Sequence, residues 1–100
     1  MQNWLLANID SELSVPILAD KVAMSVRNFS RLFRKETGSS PAEFIEFARI
    51  DTAKRLLEDT DIPLKRIAAH SGFTNVDVMR RTFIRHLSIS PNDHRTRFKG

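Results

Sequence analysis

The feature that most constrains this chain is that it repeats itself. Leu18-Ala19 returns as Ile67-Ala68 at an offset of 49, and Ala23-Met24-Ser25 corresponds to Gly72-Phe73-Thr74. Further along, Arg31 returns as Arg81, Phe33 as Phe83 and Ser40-Pro41 as Ser90-Pro91, all at an offset of 50. The second copy therefore carries one more residue at its turn. In 100 residues, such a period accommodates two copies of one small unit and a connector.

The local pattern says what that unit is made of. Apolar residues recur at spacings of three and four with no sustained alternation, which predicts an all-α fold of about seven helices. A first helix is expected over roughly Gln2 to Leu13, with Trp4, Leu5 and Ile9 on one face. Ser14 is an N-cap for a second helix, where Pro16 fits the first turn and Val15, Leu18, Ala19 and Val22 form an apolar stripe to about Ala23. Ser25 caps a third, with Phe29, Leu32 and Phe33 inward, Arg27, Ser30, Arg31 and Arg34 outward, and Gly38 as the left-handed stop.

Ser40, Pro41 and Glu43 then supply an N-cap, an N1 proline and the Glu of a capping box. The helix they open runs to about Asp59. Its apolar set, Phe44, Ile45, Phe47, Ala48, Ile50, Ala53, Leu56 and Leu57, is too broad for one packed face and predicts partners on both sides. Pro63 opens a short fifth helix with Leu64, Ile67 and Ala68, closed by Gly72-Phe73. Thr74 or Asn75 caps a sixth, with Met79 and Phe83 inward and Asp77, Arg80, Arg81 and Arg85 largely outward. Ser90-Pro91 opens a last short helix containing His94 and Arg95.

Folded back onto the repeat, this order gives two helix-turn-helix units, residues 1–39 and 60–100, joined by a linking helix at 40–59, within a single domain. The second helix of such a unit is the one that can enter a DNA major groove. Charge follows the same division. Residues 24–40 carry four cations and one anion and residues 80–100 six and one, while residues 41–63 between them carry three and six. Two basic blocks flanking an acidic one would meet a polyanion at two places. The plainer alternative is a pair of solvated helix faces, or a basic helical module that binds an acidic protein.

Other classes find little support. No apolar run approaches a membrane span, the N-terminus lacks the pattern of a secretory signal, and Cys is absent, so a cytoplasmic location is expected. No cofactor or metal is expected either. The histidines, His70, His86 and His94, form no paired motif, and His86 and His94 stand eight apart across a helix break. Without a nucleophile, a base and an oxyanion donor in any recognisable arrangement, catalysis is not predicted.

The motifs resemble those of the DNA-binding domain of AraC/XylS-family transcription regulators over essentially the whole chain. The first half has Leu18-Ala19, Met24-Ser25, Arg27, Arg31-Leu32-Phe33, Gly38-Ser39-Ser40-Pro41 and Phe44; the linking helix has Arg49-Ile50, Ala53 and Leu56-Leu57. The second half follows with Ile67-Ala68, Gly72-Phe73, Arg81-Thr82-Phe83, Ser90-Pro91 and Arg95. Three positions depart from the pattern. Met79 stands where a bulkier apolar residue is frequent, Ser88 where a Gly usually ends the helix, and His94 where an aromatic is common. Met fills irregular space, so an intact but softer second unit is expected.

The resemblance implies sequence-specific binding of double-stranded DNA, with the third and sixth helices as recognition helices. Base readers would come from Arg27, Ser30 and Arg31 in one and from Val76, Asp77, Arg80 and Arg81 in the other. Arg can pair bidentately with guanine, Asp can accept from cytosine or orient an Arg, and Val can touch a thymine methyl. Arg34, Lys35 and Arg85 would reach phosphates, with backbone donors at the helix starts of Ser40 and Ser90 adding to them. An exposed Arg is also often only solvated or paired with an acid. Phe29, Phe33 and Phe83 read as core. The resemblance further implies RNA polymerase as partner of an activator, and a sensing or dimerisation domain outside these residues.

Overall fold

The computed structural model describes residues 2–11 and 13–99. Seven helices follow one another: α1 (Gln2–Ala7), α2 (Val15–Lys21), α3 (Val26–Thr37), α4 (Pro41–Asp59), α5 (Leu64–His70), α6 (Val76–Leu87) and α7 (Pro91–Lys99). The side-chain caps read from the sequence start α2, α3, α4 and α7, and of Thr74 and Asn75 it is Asn75 that caps α6, while α5 begins at Pro63 without one. Ser25 Oγ accepts from the Asn28 amide at 3.2 Å, Asn75 Oδ1 from the Val78 amide at 2.8 Å, and Ser40 and Glu43 close a full capping box.

Three expectations need correction. The first helix stops at Ala7 rather than Leu13: the Asn8 amide shares the Trp4 and Leu5 carbonyls at 3.1 and 3.2 Å, its carboxamide joins it on Trp4, and the chain then turns; Glu12 lies outside the described residues. Leu5 and Ile9 are nonetheless buried together. The second helix stops at Lys21, and Ala23 takes φ 57° in the turn, which leaves Val22 exposed instead of inside the stripe. Phe47, assigned to the apolar set of the long helix, is 57% exposed and lies edge-on to His86, with ring centroids 4.8 Å apart.

The breadth of the apolar set in α4 is explained by two cores rather than one. Leu5, Ile9, Leu18, Ala19, Phe29 and Phe33 gather around Ile45, with Phe44 and Ala48 alongside. Ile67, Ala68, Met79 and Phe83 gather around Ile50, Ala53 and Leu57. The N-terminal half of α4 thus belongs to one helix-turn-helix unit and the C-terminal half to the other. Met79 and Phe83 are both fully buried. His94 packs its ring on Phe83 at 5.6 Å and bonds Glu58 at 2.8 Å. The result is a long molecule, 46 × 21 × 21 Å.

The two units repeat at the level of hydrogen bonds. After α2 the Met24 amide reaches back to the Ala19 carbonyl, and after α5 the Phe73 amide reaches back to Ala68, each at 2.9 Å. Four residues separate α2 from α3 and five separate α5 from α6, which is the extra residue of the second turn. At the far ends, Gly38 (φ 82°) and Ser88 (φ 59°) both take the left-handed conformation, and each donates to the fourth carbonyl back at 2.8 Å.

Candidate nucleic-acid interface

The outer face of α3 is basic because its inward face is spent on Phe29 and Phe33. Arg27, Arg31, Arg34 and Lys35 are all exposed, and Ser30 is half-buried. Arg31 does not wave free, since its guanidinium donates to Asn28 Oδ1 at 2.5 Å. Asn28 is the residue that sequence reasoning missed. The signal was available: an amide three residues before an Arg on one helical face. Arg34 sits 3.3 Å from Glu43, whose carboxyl is held below its usual range, first by the Ser40 hydroxyl and backbone and then by Arg34.

On α6 the corresponding face is built around a carboxylate. Asp77 lies 3.6 Å from Arg80 and 3.2 Å from Arg81, in the first turn where the helix dipole favours an anion. Of the two roles assigned to Asp77, orienting an Arg is the one with a partner already in place. Val76 is half-buried against the second core. Arg85 reaches Glu46 on α4 at 2.5 Å, and His86 bonds the same carboxylate. Burial works to raise the Glu46 carboxyl, but the bonds from His86 and Arg85 outweigh it and hold it below its ordinary value.

The basic block at the C-terminus is only partly an outward face. Arg95 donates to the Leu57 and Thr60 carbonyls at 3.4 and 3.2 Å, and Lys99 to Thr60 at 2.7 Å, so both cap the C-terminus of α4. Lys99 also pairs with Asp61, whose carboxyl is lowered by that bond. Ser90 caps α7 through the Asp93 amide at 3.1 Å, and Pro41 and Pro91 are both fully buried. Among the described residues no group of His, Cys, Asp or Glu could hold a metal ion, and no helix is long and apolar enough to cross a membrane.

Two turn-linked helix pairs, each presenting a second helix with a basic, capped and internally braced outer face, define a double helix-turn-helix nucleic-acid-binding domain. A family described as "Helix-turn-helix domain" matches residues 18–97. A helix-turn-helix-type transcriptional regulator of Mycobacterium tuberculosis is 43% identical over 81 residues, and the chain spans only 31% of its length. The multiple antibiotic resistance protein MarA of Escherichia coli is 26% identical, over 93% of this chain and 73% of its own. Among solved structures, the DNA-binding domain of AdpA in complex with a target DNA superimposes with a TM-score of 0.93 at 34% identity, covering 97% of this chain and 87% of that one. The chain belongs to the AraC/XylS family of transcription regulators, as a DNA-binding domain. Its fold and family are those of DNA-binding regulators and not of enzymes.

Proposed function

We propose that this domain reads double-stranded DNA by placing α3 and α6 in successive major grooves, with α4 as the rod between them. The observation that carries this reading is the repetition of one braced basic helix face at both ends of an elongated molecule. At about 1.5 Å per residue the 19 residues of α4 span about 28 Å. With the units at either end, the 46 Å long axis accommodates the roughly 34 Å between grooves on one face of DNA. Arg27, Ser30 and Arg31 read one box, and Val76, Asp77, Arg80 and Arg81 read the other. Arg34, Lys35 and Arg85, with the helix starts at Ser40 and Ser90, anchor on phosphates.

The division into residues 1–39, 40–59 and 60–100 follows from the same reading. The protein that carries this domain acts in the cytoplasm, has a sensing or dimerisation domain outside these residues, and meets RNA polymerase where it activates. The share of the M. tuberculosis regulator that the chain spans, 31%, supports a further domain. Binding sites selected from random DNA should contain two unlike boxes. Inserting about five base pairs between them turns the second box half a turn away, given about 10 base pairs per turn, and footprinting should then show one box protected. Equal protection of both boxes by one monomer on the lengthened DNA would overturn the reading.

A further inference from the structure

Arg49 sits on α4 at the seam between the two cores, with Ala48 packed against the first and Ile50 inside the second. Its Nε donates to the Ile9 carbonyl at 3.3 Å and a terminal nitrogen to the Ser11 carbonyl at 3.0 Å, both in the turn that follows α1. Gly72, in the turn of the second unit, lies against the same groups. A Cβ on Gly72 would lie 2.1 Å from the Ile9 carbonyl oxygen and 2.7 Å from Arg49 Nε. With φ 84° as well, this position admits glycine for two separate reasons.

Three parts of the molecule therefore meet at one guanidinium: the first unit's turn, the rod and the second unit's turn. The helices that pack extensively on one another otherwise do so within a unit or against α4, and a second tie across the seam runs from Arg85 and His86 on α6 to Glu46. Burial pulls the Arg49 guanidinium below its ordinary pKa, a cost that an exposed Arg in a solvated helix would not carry. Its compensation is directional, since a planar fork on two carbonyls resists rotation in a way that apolar packing on a helix does not.

We propose that Arg49 is a positioning residue that locks the two helix-turn-helix units at one angle and thereby sets the spacing of the DNA boxes they read; the second clause rests on the two-groove reading above. When two readers are joined, the effective concentration of the second depends on whether the linkage already points it at its site. A loosened seam leaves each reader intact and spoils their combination.

The absence of Cys makes the lock measurable without DNA. Glu36→Cys on α3 and Ile84→Cys on α6, both exposed positions, carry spin labels for pulsed electron paramagnetic resonance. The label-to-label distance distribution should be narrow in the parent, broader in Arg49→Met, which keeps the stem and removes the fork, and partly narrowed again in Arg49→Lys. Should Arg49→Met not fold by circular dichroism, Arg49→Gln replaces it with the same expectation. A broad distribution in the parent, or an unchanged one in the folded variant, overturns the lock.

The DNA arm separates the lock from the reading beneath it. Arg49→Met should bind a single isolated box as the parent does. On two-box DNA it should lose on the order of ten-fold in affinity and respond less to a two-base-pair change in spacer. A parent that ignores spacer length overturns the two-groove reading and the spacing role, while the label distances still decide the lock. A spacer-sensitive parent matched by an equally sensitive Arg49→Met overturns the spacing role of Arg49.

Discussion

Arg31 and Arg81 occupy the same place in the two repeats yet are braced by different chemistry. Arg31 leans on a neutral amide, Asn28, and Arg81 on a carboxylate, Asp77. A brace reduces the side-chain entropy lost when a long side chain enters a groove. Arg31→Ala should cost about 1–3 kcal/mol on a selected site and relax preference at one base step, whereas Arg34→Ala should weaken all sequences alike. Unchanged base preference in the Arg31 variant, measured by competition with single-base mutants of the site, would remove Arg31 from the readers. Ser88 offers a second test. A non-glycine residue held left-handed costs about 1–2 kcal/mol, against roughly 0.4–1 kcal/mol for the freer unfolded chain of a glycine. Ser88→Gly should therefore stabilise by about 0.5–1 kcal/mol and raise Tm by a few degrees, as read by thermal unfolding. The residues legible in advance were those whose partners are near in sequence. Ser25, Ser40 and Asn75 cap amides three residues on. Arg85 and Arg95 find theirs 39 and 35 residues away, where spacing carries no signal, and Lys99 likewise.

At the scale of elements, α3 and α6 are mounted differently. A bond from Arg34 to Glu43 ties α3 to the start of α4, while α6 is moored to the N-terminal third of α4 by Arg85 and His86 on Glu46. Glu46 titrates below its ordinary value when folded, so its contribution is present above the unfolded pKa of about 4.3 and is lost as pH falls through the lower folded value. In chemical denaturation, the stability difference between the parent and Glu46→Gln should persist at about pH 6 and shrink progressively as pH falls below about 4.3. A difference that survives in acid would mean the carboxylate charge is not what holds α6. Helix number and order were legible because caps and apolar periods are local. The early end of α1 was not, because the apolar spacing of Leu5 and Ile9 runs on through the turn that follows Ala7. The exposure of Phe47 was hidden as well, since a period marks which residues are apolar but not where the two cores on α4 leave a gap.

For the molecule as a whole, net charge says less than where the charges go. Of the cations in the last block, Arg95 and Lys99 cap α4 and Arg85 faces Glu46. Arg27, Lys35 and Arg97 are exposed, and Arg85 keeps an exposed side chain beside Glu46. Binding to a selected site should still fall steeply with salt, by about 0.9 in log affinity per log salt for each phosphate neutralised. A flat dependence over about 50–200 mM salt would exclude a phosphate-anchored mode. What could not be read from the sequence at this scale is the seam, because Arg49 and Gly72 matter through a carbonyl about forty and sixty positions away from them. The two ends that this seam joins are unlike, one braced by an amide and the other by an acid. A symmetric clamp fits its site equally well either way round, but a reader with unlike ends fits in one sense only. Whatever is fused to this domain would then be carried to a fixed side of the site, upstream or downstream, with the DNA itself serving as the compass.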